Sequence, residues 1–508
     1  MVDNKRIAKN TVLLYFRMAL TMLVALYTSR VILEVLGASD YGLYNVVGGV
    51  VTMLGFLNGS ISSGTSRFIS YELGVGDKER LRDIFNVALV SHIGISLIVF
   101  VIAETVGLWF VNTHLVFPED RMIAVNVIYQ LSIITTMLQF TQIPYTSDII
   151  AHEEMSIYAY ISILEVALKL GIVFLLMTVR HVDMLILYGI IVFLVQVLII
   201  FLYRFYCLKK YEESHWRFVK DKTQYKQIFS FAGWDVIGAL CVITQGQGIN
   251  ILLNMFFGPV VNAARAIAYQ VQGAFSQFTG NFMTAVNPEI VKSYARRDYE
   301  SMVKLINNAS IYSFFLLLVF MMPVMFKLDV LLSLWLKEVP ANTVEFTLII
   351  LALTIIRAIA RPVIMATHAT GDIKALNLYA GGLGLLPLPV SLIALELGAT
   401  PIFVLWIIFL WGIFANIAEI IILKIKLKEF SILEHLKIVY LRCLIVSALA
   451  VVVCYYLNTL FEDNFVGFCL YYALAFPLTS IIIFYIGLPK QLQKIIIEKI
   501  QYAIHQIK

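Results

Sequence analysis

Charge is scarce in this chain. Of its 508 residues only 14% are Asp, Glu, Lys or Arg, and 60% are hydrophobic. A soluble domain carries about 25% charged residues, so there is too little polar surface here to cover soluble domains. The mean hydropathy of +0.86 agrees, and a soluble multidomain enzyme and a disordered chain are both excluded. Cysteine is scarce too. Cys207, Cys241, Cys443, Cys454 and Cys469 show neither metal-ligand spacing nor an even-numbered framework, and they read as small buried hydrophobes. No Gly-Lys-Ser phosphate loop is present, which excludes an ATPase. The net charge of +5 is too small to point to nucleic acid. No segment between apolar runs is long enough to fold as a domain, the longest being 204–226, so the chemistry belongs to helices.

What is abundant is long apolar runs. A helix needs about 20 apolar residues to cross the hydrocarbon layer. That ruler predicts fourteen transmembrane helices, near 10–36, 41–65, 84–111, 122–146, 155–178, 183–203, 227–256, 260–287, 307–326, 343–366, 375–396, 401–423, 438–460 and 465–487. With the N-terminus inside, 27 of the 38 Lys and Arg fall in cytoplasmic segments and 4 in outer loops. By the positive-inside rule both termini are expected in the cytoplasm. Segment 147–154 is the exception, with three acids and no base.

The chain also repeats itself. At an offset of 221, Asp77 meets Asp298, Asn86 meets Asn307 and Ala88 meets Ala309; at 218, Pro144 meets Pro362, Ala151 meets Ala369 and Glu154 meets Asp372. Six helices separate the copies, so both enter the membrane in the same sense, as in a parallel repeat. The expected architecture is an all-α polytopic membrane protein with two pseudo-symmetric six-helix lobes, residues 1–208 and 227–427. An inter-lobe loop fills 209–226, and helices 13 and 14 occupy 428–488. Residues 489–508 read as an amphipathic tail on the inner surface, with Leu492, Ile496, Ile500, Ala503 and Ile507 on one face.

Charged residues deep in a span cost about 2.5–3.5 kcal/mol on insertion scales, so each needs a water-filled cavity or a partner. Arg30 and Glu34 form an i, i+4 pair, whereas Arg17 has no acid one turn away. Tyr158, Ser162, Glu165 and Lys169 share one helical face, and Glu165 precedes Lys169 at the favoured spacing. Thr244, Gln247, Asn250 and Asn254 form another face, with Asp235 near the cytoplasmic end of that span. The clearest stripe is Asn262, Arg265, Tyr269, Gln272, Ser276 and Thr279, repeating at 3, 4, 3, 4 and 3. Lipid cannot solvate it, so it faces protein or water. Arg357 and Arg361 lie one turn apart without a neighbouring acid in sequence, and Pro362 is placed to kink their helix. Deep bases outnumber deep acids, and a cavity of that sign suits an anion. Arg17, Arg265, Arg357, Arg361 and Lys169 are the expected ligands. Asn250, Gln247, Asn262, Tyr269, Gln272 and Ser276 are the expected polar lining. The guanidinium fork favours phosphate. Glu165 and Asp235 are the candidates for coupling to a proton or sodium gradient. No cofactor and no metal is expected.

Three segments carry a family resemblance: SRVILEVLGASDYGLYNVVGG at 29–49, SRFISYELGVGD at 66–77 and PYTSDIIAHEEMSIYAYISILE at 144–165. On these the chain resembles Wzx-type polysaccharide flippases of the multidrug/oligosaccharidyl-lipid/polysaccharide exporter superfamily. The resemblance implies a transporter of the bacterial inner membrane rather than an enzyme. Its cargo would be an oligosaccharide on undecaprenyl diphosphate, moved to the outer leaflet by alternating access. Membrane lipids and polysaccharide assembly proteins would be its partners, and nucleic acid would not. Two alternatives stay open: a cation- or proton-coupled multidrug exporter of the same superfamily, and a membrane-embedded polysaccharide polymerase or ligase.

Overall fold

The computed structural model describes residues 10, 12–21, 56–113, 118–179, 183–336, 339–490 and 493–494, with scattered positions between 23 and 47. These residues are helical almost throughout. In chain order the helices are α1 (Val12–Thr21), α2 (Phe56–Val75), α3 (Lys78–Thr113), α4 (Met122–Ala151), α5 (Met155–Thr178), α6 (Met184–Lys210), α7 (Lys222–Phe257) and α8 (Pro259–Ala295). There follow α9 (Tyr299–Phe326), α10 (Leu328–Trp335), α11 (Thr343–Ala358), α12 (Ala360–Ala369), α13 (Leu376–Glu396), α14 (Pro401–Lys426), α15 (Ile432–Leu460) and α16 (Phe465–Gly487).

Helix starts are written locally. Asp77 accepts from the Arg80 amide at 3.0 Å ahead of α3, and Asp183 accepts from Leu185 and Ile186 at 3.0 and 3.1 Å ahead of α6. Each satisfies amides that a helix start leaves without partners. Pro401 opens α14, where its missing N–H costs nothing. Residues Ala103–Gly107 of α3 form a π-turn, and the buried Tyr129 hydroxyl donates to the Ala103 carbonyl there at 2.6 Å.

Ten described helices are long and apolar enough to span a membrane, or eleven if the bent pair α11 and α12 is one span. The expected count was fourteen, and the difference has physical causes. The first two expected spans are interrupted by residues outside those described: α1 is the short continuous helix of the first, and α2, which covers only the end of the second, is rich in polar residues. The eighth is present as α8, a continuous helix of 37 residues, but its polar stripe makes it too hydrophilic to qualify by composition. The Arg30–Glu34 pair and most of the 489–508 tail also lie outside the described residues.

The chain forms two compact units: Met1–Ala239 with Thr284–Asp298, and Leu240–Met283 with Tyr299–Lys508. The expected boundary was the 209–226 loop, yet the division falls inside α7 and α8. Helices of 36 and 37 residues measure about 55 Å, well beyond the ~30 Å hydrocarbon layer. Their overhanging ends join the first unit. Ala232 packs with Val99, Phe140 and Ile143, and Phe231 meets Phe68 edge-on at 5.7 Å. Lys292 pairs with Glu153 at 2.6 Å.

Within each unit the sequence repeat has the same structural meaning. Asn86 of α3 binds the segment after α6, donating to the His215 carbonyl at 3.2 Å and accepting from the Arg217 amide at 2.9 Å. Its counterpart Asn307 of α9 binds His435, after α14, at 2.7 Å. Glu154 pairs with Lys210, and Asp372 pairs with Lys426. Glu153 and Gly371 both take positive φ at the same corner, 61° and 80°. The duplicated residues are therefore corner fasteners.

Orientation is testable. Reporter fusions at residues 115, 215 and 508 are expected to read outside, inside and inside. An outside signal at 215 or 508 contradicts the topology.

Candidate functional site

The second unit holds the strongest site. Arg265 sits in the polar stripe of α8 and is only 4% exposed. Its Nη1 donates to the Gly246 carbonyl at 3.2 Å and to the Asn250 side-chain oxygen. Nη2 reaches the Tyr269 hydroxyl at 3.4 Å, and the guanidinium carbon lies 4.7 Å from the Tyr269 ring centre. The buried Nε has no acceptor. Every one of these partners is neutral, so among the described residues no carboxylate compensates the charge. A guanidinium offers five N–H donors, and a buried donor without an acceptor costs about 1–3 kcal/mol.

Beside it is a cavity of about 490 Å³, lined by Gln245, Gly246, Gln247, Asn250, Asn262, Arg265 and Tyr269 with Val242 and Ala266. The two helices build it by register. Asn262 and Tyr269 flank Arg265 on α8, while Gln247 and Asn250 lie one turn apart on α7. Asn262 donates to the Asn250 carbonyl at 3.1 Å, and Asn250 donates to Gln247 at 3.3 Å. Gly248 lets α7 lie close to α13, since a Cβ there would come within 2.5 Å of Leu388.

The rest of the stripe does not join the cavity. Gln272 donates to Thr354 on α11 at 2.9 Å, and buried Thr279 bonds back to Ser276 at 3.1 Å. Ser276 is half-buried. Of these three, Gln272 ties α8 to α11.

Arg357 requires a correction. It has no acid beside it in sequence, but in the fold it forms a two-bond fork with Glu419 of α14, at 2.8 and 2.9 Å. Glu419 is buried, 4% exposed. This charge is neutralised within the unit. Arg361, beyond the 44° bend between α11 and α12, is exposed and has no carboxylate partner among the described residues.

The first unit gathers the remaining candidates on one face of α5. Arg17 donates to Ser162 at 3.4 Å and lies 4.7 Å from the Tyr158 ring centre. Lys169 pairs with Glu165 at 2.6 Å, as the i, i+4 spacing implied. Asp235, in α7, is half-buried. Two contributors were invisible to the sequence. The Gly246 carbonyl carries no side-chain signal, and Glu419 lies 62 residues from its partner.

No family model matches the chain, and no curated protein matches it. Solved structures do. A multidrug resistance MATE family transporter of the MOP superfamily, in an outward-facing conformation, superposes with a TM-score of 0.68 at 13% identity, over 84% of this chain and 96% of that one. A MATE structure in the bent conformation gives 0.68 at 13%, over 84% and 95%. A MOP superfamily transporter from Pyrococcus furiosus, described by a binding pocket of reverse polarity that suggests a different function, gives 0.67 at 12%, over 84% and 96%. The chain therefore has the MATE-like fold of these transporters, with ten described helices long and apolar enough to cross a membrane.

Proposed function

We propose that this protein is a membrane transporter that flips an oligosaccharide linked to undecaprenyl diphosphate from the inner to the outer leaflet of a bacterial cytoplasmic membrane, for surface polysaccharide assembly. One observation carries the reading: a buried arginine without a carboxylate partner among the described residues, beside a cavity whose other lining is four amide side chains, a tyrosine, Gly246, Val242 and Ala266. A diphosphate oxygen supplies the charge and acceptors that Arg265 lacks, and the amides suit sugar hydroxyls. The lipid tail stays in the bilayer, which avoids most of the cost of drawing charge through hydrocarbon. A structural relative is likewise described by a binding pocket of reverse polarity that suggests a different function.

The alternative, a multidrug exporter, shares the fold. A lipophilic cation, however, would meet Arg265 without a carboxylate to offset it. A polymerase or ligase reading has no observation in its favour.

Purified protein in vesicles loaded with labelled lipid-linked oligosaccharide tests the proposal. Time-dependent exposure of label to an outside-added quencher or glycosidase is expected. Label that crosses no faster than in protein-free vesicles, together with efflux of a lipophilic cation, would replace this reading with the exporter.

A further inference from the structure

At the corner between α4 and α5, apart from the cavity above, three side chains of the first unit converge: Asp148, His152 and Glu213. One ligand atom from each lies within 4.8 Å of the other two. His152 Nε2 is 2.7 Å from a Glu213 oxygen and 3.7 Å from an Asp148 oxygen. We propose that this is a divalent transition-metal site, of the class Zn²⁺ occupies, which fastens the end of α4 to the segment after α6.

Asp148 is the observation that points to a ligand. It is 0% exposed, and neither of its carboxylate oxygens accepts a hydrogen bond among the described residues. A buried carboxylate with no donor is costly, and a cation removes that cost. Two carboxylates and one neutral imidazole match a divalent charge. The mixed nitrogen and oxygen donors suit Zn²⁺ better than Mg²⁺ or Ca²⁺, which take oxygen alone. In a tetrahedral site, donors about 2.1 Å from the metal stand about 3.4 Å apart. The observed 2.7 and 3.7 Å bracket that spacing.

Orientation and access are also provided. The His152 ring stacks on Tyr211 at 4.1 Å and 6°, which holds Nε2 toward both acids. The Glu213 backbone is held from α3 by Asn86, at 3.4 Å. A cavity of about 330 Å³, whose lining includes His152 and Glu213, gives the ion a route and leaves room for water as a further ligand.

The repeat shows that the corner does not need these groups to fold. At the offset of 218, Asp148 corresponds to Ala366 and His152 to Thr370. Ala366 is fully buried in the second unit, and the Thr370 hydroxyl bonds back to the Thr367 carbonyl at 2.7 Å. One copy of the corner is made with an alanine and a threonine; the other carries an acid and an imidazole aimed at a second acid.

The test is Zn²⁺ binding to the full-length purified protein after chelator treatment, read by indicator competition and by metal content after gel filtration. One Zn²⁺ per chain is expected, with a rise in thermal midpoint. Asp148→Ala/His152→Thr copies the second repeat, so it should fold, and it should bind Zn²⁺ at least about a hundredfold more weakly without the thermal shift. Glu213→Gln should weaken binding in the same direction. If the wild-type protein binds no Zn²⁺, or if the double variant keeps wild-type stoichiometry and affinity, the site is not a metal site. An unchanged gel-filtration profile of the double variant establishes that loss of binding is not loss of fold.

Discussion

Arg265→Ala is expected to lower transport at least about a hundredfold while the protein still inserts at wild-type abundance. The side chain donates to three neutral oxygens and has further donors to spare. A charge-assisted hydrogen bond contributes about 1.5–3 kcal/mol, and two of them in a fork to a diphosphate reach the size of a hundredfold change, since about 1.4 kcal/mol is tenfold. Its protein partners are the Gly246 carbonyl, an amide and a phenol, none left as an orphaned charge by the substitution. Stability should therefore change little. Arg265→Lys should recover only part of the activity, because the charge stays but the planar fork is lost. The measurement is surface polysaccharide restored in a strain lacking its own transporter, with membrane levels checked by blotting. Full activity of the alanine variant would remove Arg265 from the cargo site.

The second large effect is of the opposite kind. Arg357→Ala should leave Glu419, 4% exposed, as an unpaired buried carboxylate. Breaking a buried pair costs about 3–5 kcal/mol. Arg357 is itself about one-third exposed (32%), so the lower end of that range applies, about 3 kcal/mol. The expected result is a lower thermal midpoint in detergent and reduced abundance, before any question of transport arises. Replacing both partners by methionine should recover most of the stability, since apolar groups of similar size need no counter-charge. If Arg357→Ala is as stable as wild type but inactive, Arg357 acts on cargo instead of holding α11 to α14.

These two arginines show where sequence reading succeeds and where it stops. Both sit on helices whose polar periodicity was visible, and Arg265, Tyr269, Asn262, Asn250 and Gln247 do converge on one cavity. Spacing within a helix also gave the Glu165–Lys169 pair, because residues four apart share a face. Spacing cannot see across helices. Arg357 looked unpaired because its acid is on α14, and Gln272 looked like lining because Thr354 is on α11. The repeat was legible through Asn86 and Asn307, Glu154 and Asp372, since a corner that must bind the same neighbour in both copies keeps the residue that does so. The expected eighth span, 260–287, is present as α8, although its polar stripe keeps it out of the helices that qualify as spans by composition. The Asp148–His152 pair is at i, i+4 and could have been noticed, but Glu213, which completes the group, comes 61 residues later.

The central claim is that the cavity beside Arg265 takes a phosphorylated lipid head group. The most direct test is equilibrium binding of a polyprenyl diphosphate to the purified protein in detergent, compared with the corresponding uncharged polyprenol and with a lipophilic cation. Saturable binding of the diphosphate is expected, at least about a hundredfold tighter than the polyprenol and lost in Arg265→Ala. Equal binding of diphosphate and polyprenol, undiminished diphosphate binding in Arg265→Ala, or tighter binding of the cation would contradict the account.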